Sequence, residues 1–246
     1  MPETLMDRSL GELACAVAGA TAVLSRHRLD FCCGGAQTLR AAAADRGLDP
    51  ATVAAELVEL QRRPARSERD WRQARAAELI DHILQRFHER HREQLPELIR
   101  LAQRVESVHA DSPDCPRGLT AHLKAMQQDL ENHMLKEERI LFPLLRNGSP
   151  AFVPGPIAVM RHEHDQHGDA LRQLLELTGG SLLAPAGACA TWQALMSGLQ
   201  TLHEDLMQHI HLENNVLFAG PAAGAAAGDR PARSEGGGCC GACGGG

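Results

Sequence analysis

The sequence predicts an all-α fold: a four-helix bundle preceded by a small helical N-terminal domain. Two observations carry this. The 246 residues hold no Tyr, five Phe and two Trp, and their long Ala/Leu/Glu/Arg/Gln stretches space apolar residues at the helical period of 3.6. In addition, a single shift of 76 residues carries His88 onto His164, His133 onto His209 and Glu137 onto Glu213. It also carries Leu119, Leu123, Met126, Leu130, Leu141 and Phe142 onto Leu195, Leu199, Leu202, Leu206, Leu217 and Phe218. Two similar helical hairpins with polar residues on their inward faces describe a bundle with a site inside it.

The elements follow in order. Residues 1–62 form an Ala-rich helical segment with two breaks. The first, Asp30-Phe31-Cys32-Cys33-Gly34-Gly35, looks like a helix end carried into a glycine turn. The second, Gly47-Leu48-Asp49-Pro50, opens a new helix with Asp49 as N-cap and Pro50 at the first position. Polar residues 63–69 read as a linker, and residues 70–219 as the bundle. Helix one carries the stripe Ile80, Leu84, Phe87, His91, Leu95, Leu98, with His88 beside it; helix two carries Leu119, Leu123, Met126, Leu130, His133, Glu137, Ile140, Leu144. Helix three reads Ile157, Met160, His164, His167, Leu171, Leu174, and helix four Leu195, Leu199, Leu202, Leu206, His209, Glu213, Val216. Turn formers separate them at 110–113, 147–150 and 179–187. Residues 220–246 are Ala/Gly-rich, cannot bury a core, and are expected to be disordered.

Composition excludes several classes. A net charge of −6 with interspersed signs argues against nucleic acid as a partner. No run of 18 apolar residues exists to enter a membrane. The N-terminus lacks a basic stretch followed by an apolar one, so a cytoplasmic protein is expected, with its eight Cys as thiols or ligands rather than disulfides.

The inward polar residues carry the chemistry. His133 and Glu137, like His209 and Glu213, stand four residues apart, one turn apart on one helix face. An unpaired charge in a core is costly, so both carboxylates need strong partners. Two carboxylates and four imidazoles converging in a bundle suit two iron ions: His88, His133, His164 and His209 complete the spheres, two to each iron, while Glu137 and Glu213 bridge. The expected cofactor is an oxo-bridged di-iron centre. A lone His on an apolar face is more often a satisfied core residue, but six residues repeating under one shift reverse that preference. His91 and His167, also related by the shift, fit a supporting role beside the ligands. His109 lies 21 residues beyond His88, about 31 Å along a continuous helix, too far to share the site.

Zinc is the chemical rival, but no Cys falls on the bundle stripes. A ferritin-like centre would use two Glu-x-x-His motifs, and the chain offers one, Glu106-x-x-His109. Without Tyr there is no tyrosyl radical. Cys32 and Cys33, at a helix end before two glycines, suit redox work or soft-metal binding as well as simple burial. Cys239, Cys240 and Cys243 in the tail could bind a soft metal only at a large ordering cost, and Cys15, Cys115 and Cys189 follow no pattern.

These residues resemble a known family, the di-iron proteins for repair of iron–sulfur clusters (repair of iron centres), with a hemerythrin-like domain. The stretches that carry the likeness are Leu29-Asp30-Phe31-Cys32-Cys33-Gly34-Gly35, Phe87-His88-Glu89-Arg90-His91-Arg92-Glu93-Gln94-Leu95-Pro96, His133-Met134-Leu135-Lys136-Glu137-Glu138 and Leu212-Glu213-Asn214-Asn215-Val216-Leu217-Phe218. The resemblance implies a hemerythrin-like bundle whose iron ligands are His88, His133, Glu137, His164, His209 and Glu213, with Cys32 and Cys33 as redox or transfer thiols. It implies repair of clusters damaged by nitric oxide or oxidative stress, by donation of iron to apo or damaged iron–sulfur proteins or a scaffold. Two alternatives stand beside it: an enzyme reducing nitric oxide at the two irons, and a sensor binding O2 or nitric oxide. The sequence leaves monomer and homodimer both open, and the Cys-bearing tail is no part of the family pattern.

Overall fold

The computed structural model describes residues 2–62, 70–147 and 153–219, and among these it is helical without a strand. The expected linker at 63–69 and the tail with Cys239, Cys240 and Cys243 lie outside the described residues.

Five short helices come first: α1 (Pro2–Met6), α2 (Leu10–Ala16), α3 (Ala20–Arg26), α4 (Leu39–Asp45) and α5 (Pro50–Arg62). Local chemistry sets their starts. Ser9 and Glu12 form a reciprocal capping box on α2, and Thr38 accepts from Ala41 N on α4. The two caps also pair across the chain, through Leu10 N to Gln37 O at 2.9 Å and Leu39 N to Arg8 O at 3.0 Å. Asp49 caps α5 as expected, accepting from Ala51 N and from both the amide and hydroxyl of Thr52. The end of α3 differs from expectation. Arg28, at φ +55°, takes the left-handed turn, and Leu29 N closes back on Leu24 O at 2.8 Å. Gly34 and Gly35 serve another purpose: a Cβ on Gly35 would stand 2.7 Å from Phe31 O, so only glycine lets this loop fold so tightly.

The bundle follows. Its first helix is α6 (Ala76–Ile83) continued into α7 (Glu89–Val108), and its second is α8 (Leu119–Lys136) continued into α9 (Phe142–Arg146). The third is α10 (Pro154–Leu177), and the fourth is α11 (Ala190–Leu212) with its extension to Leu217. Each helix turns its expected stripe inward: Ile80, Phe87, Leu95, Leu98, Leu123, Leu130, Met160, Leu171, Leu199 and Leu206 are all buried. Ile140, at 53 % exposure, leaves the predicted stripe, because the helix is wound differently there.

The apolar interior divides in two. One cluster holds Ile80, Ile83, Phe87, Leu141, Phe142, Met160, Leu217 and Phe218. The other holds Leu95, Leu98, Leu123, Leu130, Leu171 and Leu206, and it runs on without interruption into Leu10, Leu13, Leu24, Phe31 and Leu57 of the N-terminal segment. The sequence suggested that Cys32 and Cys33 stand apart from the bundle; instead their segment shares its core. Along each bundle helix the buried His and Glu residues fall between the two clusters.

Candidate metal centre

Three of the four bundle helices widen into π-helical turns at this polar layer: Leu84–His88, Glu137–Leu141 and Glu213–Leu217. In each, an amide reaches back five residues, from Glu89, Phe142 and Phe218 to the carbonyls of Leu84, Glu137 and Glu213. Such turns re-aim side chains at functional sites, and no sequence period announces them. The third helix stays regular at His164.

His88, His133, Glu137, His164, His209 and Glu213 converge, all at 0–1 % exposure. They form two four-residue groups that share both carboxylates: His88/His209 and His133/His164, each with Glu137 and Glu213. Within each group the imidazoles point Nε2 at Nε2, 3.2 Å apart in both cases. Glu213 Oε1 lies 3.1 Å from His209 Nε2, and its Oε2 lies 3.0 Å from His164 Nε2. Glu137 Oε2 stands further off, 3.4 Å from His88 Nε2 and 3.5 Å from His133 Nε2.

The outer side of the rings fixes where the protons are. His88 Nδ1 donates to Glu138 Oε1 at 2.9 Å, a carboxylate also held by Arg92. His133 Nδ1 donates to Glu163 Oε2 at 3.0 Å, which Lys136 holds in turn. His164 Nδ1 meets Asn214 Oδ1 at 2.9 Å, and since Asn214 Nδ2 donates to Cys32 O at 3.1 Å, the amide oxygen must accept. The Nε2 atoms of these three rings are therefore bare lone pairs facing inward. Acceptors that hold Nδ1–H in this way fix the tautomer and raise the basicity of the other nitrogen. His209 is the exception, with no partner for Nδ1 among the described residues; Phe87 stacks on its ring at 5.4 Å.

Electrostatics agree. Burial pushes His88 down to about 2, with His209 adding to it, so the ring stays neutral. Burial lowers His133 as well. Burial and the charge of Glu213 push Glu137 well above the usual carboxylate range. For Glu213 burial works in the same direction, but His209, whose Nδ1 has no acceptor among the described residues and whose Nε2 can carry the ring proton toward Glu213, outweighs it and holds the carboxyl well below that range. Neither oxygen of Glu137 accepts a hydrogen bond from a described group. Buried lone pairs set against one another around two carboxylates repel until a cation lies between them, so the donor set fits a metal.

The remaining sites sort plainly. His91 and His167 are buried beside the layer, their rings 5.4 Å from His209 and 4.9 Å from His133, and burial brings both down to about 3. Neither joins the two four-residue groups. His109 ends α7, against Cys189 and Trp192. Cys32 and Cys33 dock on the bundle: Cys33 Sγ donates to His164 O at 3.2 Å, and Asn215 Nδ2 donates to Phe31 O at 3.2 Å. Glu138, Glu163 and Asn214 were not singled out from sequence. The shift of 76 that carries His88 onto His164 also carries Glu138 onto Asn214, and that was the signal available.

The comparisons with known proteins fall in line with this geometry. Residues 79–219 match the model of the hemerythrin HHE cation binding domain, and residues 6–61 match ScdA_N, a domain of unknown function. The chain is 51 % identical over 212 residues to the iron-sulfur cluster repair protein YtfE of Dickeya chrysanthemi, covering 86 % of this chain and 95 % of that one. It is 49 % identical over 218 residues to the proteins of that name from Escherichia coli O17:K52:H18 and Shigella boydii serotype 4, covering 89 % of this chain and 98 % of each. With four buried histidines and two buried carboxylates at the heart of a hemerythrin HHE cation binding domain, the chain belongs to the iron–sulfur cluster repair protein family.

Proposed function

We propose that this protein repairs damaged iron–sulfur clusters by giving up iron from a di-iron centre to apo or damaged iron–sulfur proteins in the cytoplasm. The observation that carries the reading is the facing of imidazole Nε2 atoms, 3.2 Å apart in each pair and bare on His88, His133 and His164, around two fully buried carboxylates. His88 and His209 would hold one ion, His133 and His164 the other, and Glu137 and Glu213 both. Iron there would supply an exchangeable, redox-active metal held without an all-thiolate cage. Glu138, Glu163 and Asn214 orient the imidazoles, while burial between the apolar clusters on either side keeps them neutral and excludes water. Cys33, docked on the His164 backbone, and Cys32 beside it stand where metal or electrons leaving the centre can be received. The domain organisation that goes with this is a helical Cys-bearing domain over residues 1–62 and the bundle over residues 70–219.

Metal analysis is expected to give close to two irons per chain, antiferromagnetically coupled through an oxo bridge when oxidised. Incubation of iron-loaded protein with an apo cluster scaffold should transfer that iron. One zinc without coupled iron would overturn the centre. Retention of both irons during steady consumption of nitric oxide would replace donation by reduction.

A further inference from the structure

We propose that Asp30, Cys32 and Cys33 form a second metal site, mononuclear and distinct from the His/Glu centre, for a thiolate-preferring divalent cation such as Zn2+ or Fe2+. Their ligand atoms all lie within 4.8 Å of one another. The two sulfurs stand 3.7 Å apart. A tetrahedral ion with metal–sulfur bonds of about 2.3 Å needs its sulfurs about 3.8 Å apart, whereas a disulfide closes them to about 2.05 Å. The pair is spread for a shared ion. Asp30 Oδ1 completes the triangle at 3.2 Å from Cys32 Sγ.

The loop is built to hold this arrangement before any ion arrives. Asp30 Oδ1 accepts from the amides of Cys32 and Cys33, at 3.1 and 2.9 Å, which fixes the carboxylate over both residues. Asn214 and Asn215 hold the carbonyls of Cys32 and Phe31 from the bundle side. Cys33 Sγ packs alongside Gly168 on α10, where a Cβ would only just touch it, at 3.5 Å. Pre-organised donors bind with little ordering cost.

The site also differs in access. Asp30 and Cys33 are half-buried, whereas the His/Glu layer is sealed. Three protein donors leave a fourth position for water or for a thiolate of an acceptor protein. Binding displaces the thiol protons to solvent, and no electron changes hands. The site stands on its own geometry; only its use as a way station for iron rests on the proposal that the centre gives iron up.

The test uses the full chain with Cys239, Cys240 and Cys243 changed to Ser and the His/Glu centre filled with iron. The reduced protein is titrated anaerobically with Co2+, reading the thiolate-to-cobalt charge-transfer band. One equivalent should raise the band. Cys32→Ser and Cys33→Ser should abolish it, and Asp30→Asn, which keeps the Oδ1 acceptor for the loop amides, should weaken Co2+ binding at least tenfold. Iron content and circular dichroism report whether each variant is folded; if a Ser variant is not, Asp30→Asn decides. No band in the parent, or a full band in folded Cys32→Ser, overturns the site, and parent affinity in Asp30→Asn overturns its third ligand. Failure of iron transfer with the band intact overturns donation and leaves the site standing.

Discussion

His164 Nδ1 and Asn214 Oδ1 share a 2.9 Å hydrogen bond, and through Asn214 Nδ2 the same amide grips Cys32 O. One side chain thus orients an imidazole of the centre and anchors the thiol loop. Asn214→Ala frees the ring and leaves a buried carbonyl without its donor. It should cost ten- to a hundredfold in iron affinity, read by competition with a chelator. Parent affinity would show that His164 is oriented by packing alone.

Glu137→Ala and Glu213→Ala should each lower iron content more than His91→Ala. Each carboxylate faces both His pairs, whereas His91 touches only the margin of the layer. Equal loss in all three would place His91 among the ligands.

The metal-free protein should be relieved by Glu137→Gln. Glu137 is sealed from water beside a second carboxylate, so an amide in its place removes the burden of a buried acid. Thermal melts should rise by a few degrees without metal, while the gain on adding iron shrinks. A lower metal-free melting temperature would mean that the carboxyl is satisfied within the empty layer.

Acid should unfold the metal-free protein early. Burial lowers His88 to about 2 and His91 and His167 to about 3 in the folded chain, while unfolded histidines titrate near 6.5. As pH falls below about 6.5 the unfolded chain takes up protons that the folded one refuses, so stability present above that pH is lost. Each such ring costs about 1.4 kcal/mol per pH unit in this window. Glu137 runs the other way, favouring the folded chain as pH falls toward the carboxylate range, but it is one group against several. Urea midpoints should drop between pH 6.5 and 5; a flat profile would contradict the burial of these rings as neutral bases.

The two ends of the layer should release metal unequally. Glu163, which serves His133, corresponds under the 76-residue shift to Phe87, which can only stack on His209. His209 is therefore the least firmly oriented of the four rings. Removal of iron by a chelator should be biphasic, and Phe87→Gln should slow the fast phase. Single-phase loss in the parent would sink this asymmetry.

The six inward residues were legible because a duplicated helical hairpin writes each of them twice at one spacing. The Asp49 cap was legible because capping is local. The π-turns were not, since they arise where the helices must re-aim side chains at the layer, and the sequence shows only regular heptads through Glu137–Leu141 and Glu213–Leu217. Arg28 in place of a glycine at the end of α3 was hidden for a similar reason: the tertiary fold imposes the left-handed turn on a residue that does not seek it. Docking of the Cys loop depends on Asn214 and Asn215, whose roles exist only once distant segments meet.

The division of the interior has a consequence for how the molecule comes apart. Two oily storeys are separated by a floor of nitrogen and oxygen atoms that push against one another when no cation joins them. Emptied of iron, that floor is the weakest plane in the building, and the end containing Phe142, Leu217 and Phe218 can loosen while the end fused to the N-terminal segment holds. Partial opening of this kind exposes the chain to proteases in proportion to its population. Iron supply would then govern how long each copy of the protein survives, so that a cell short of iron clears the empty molecules first.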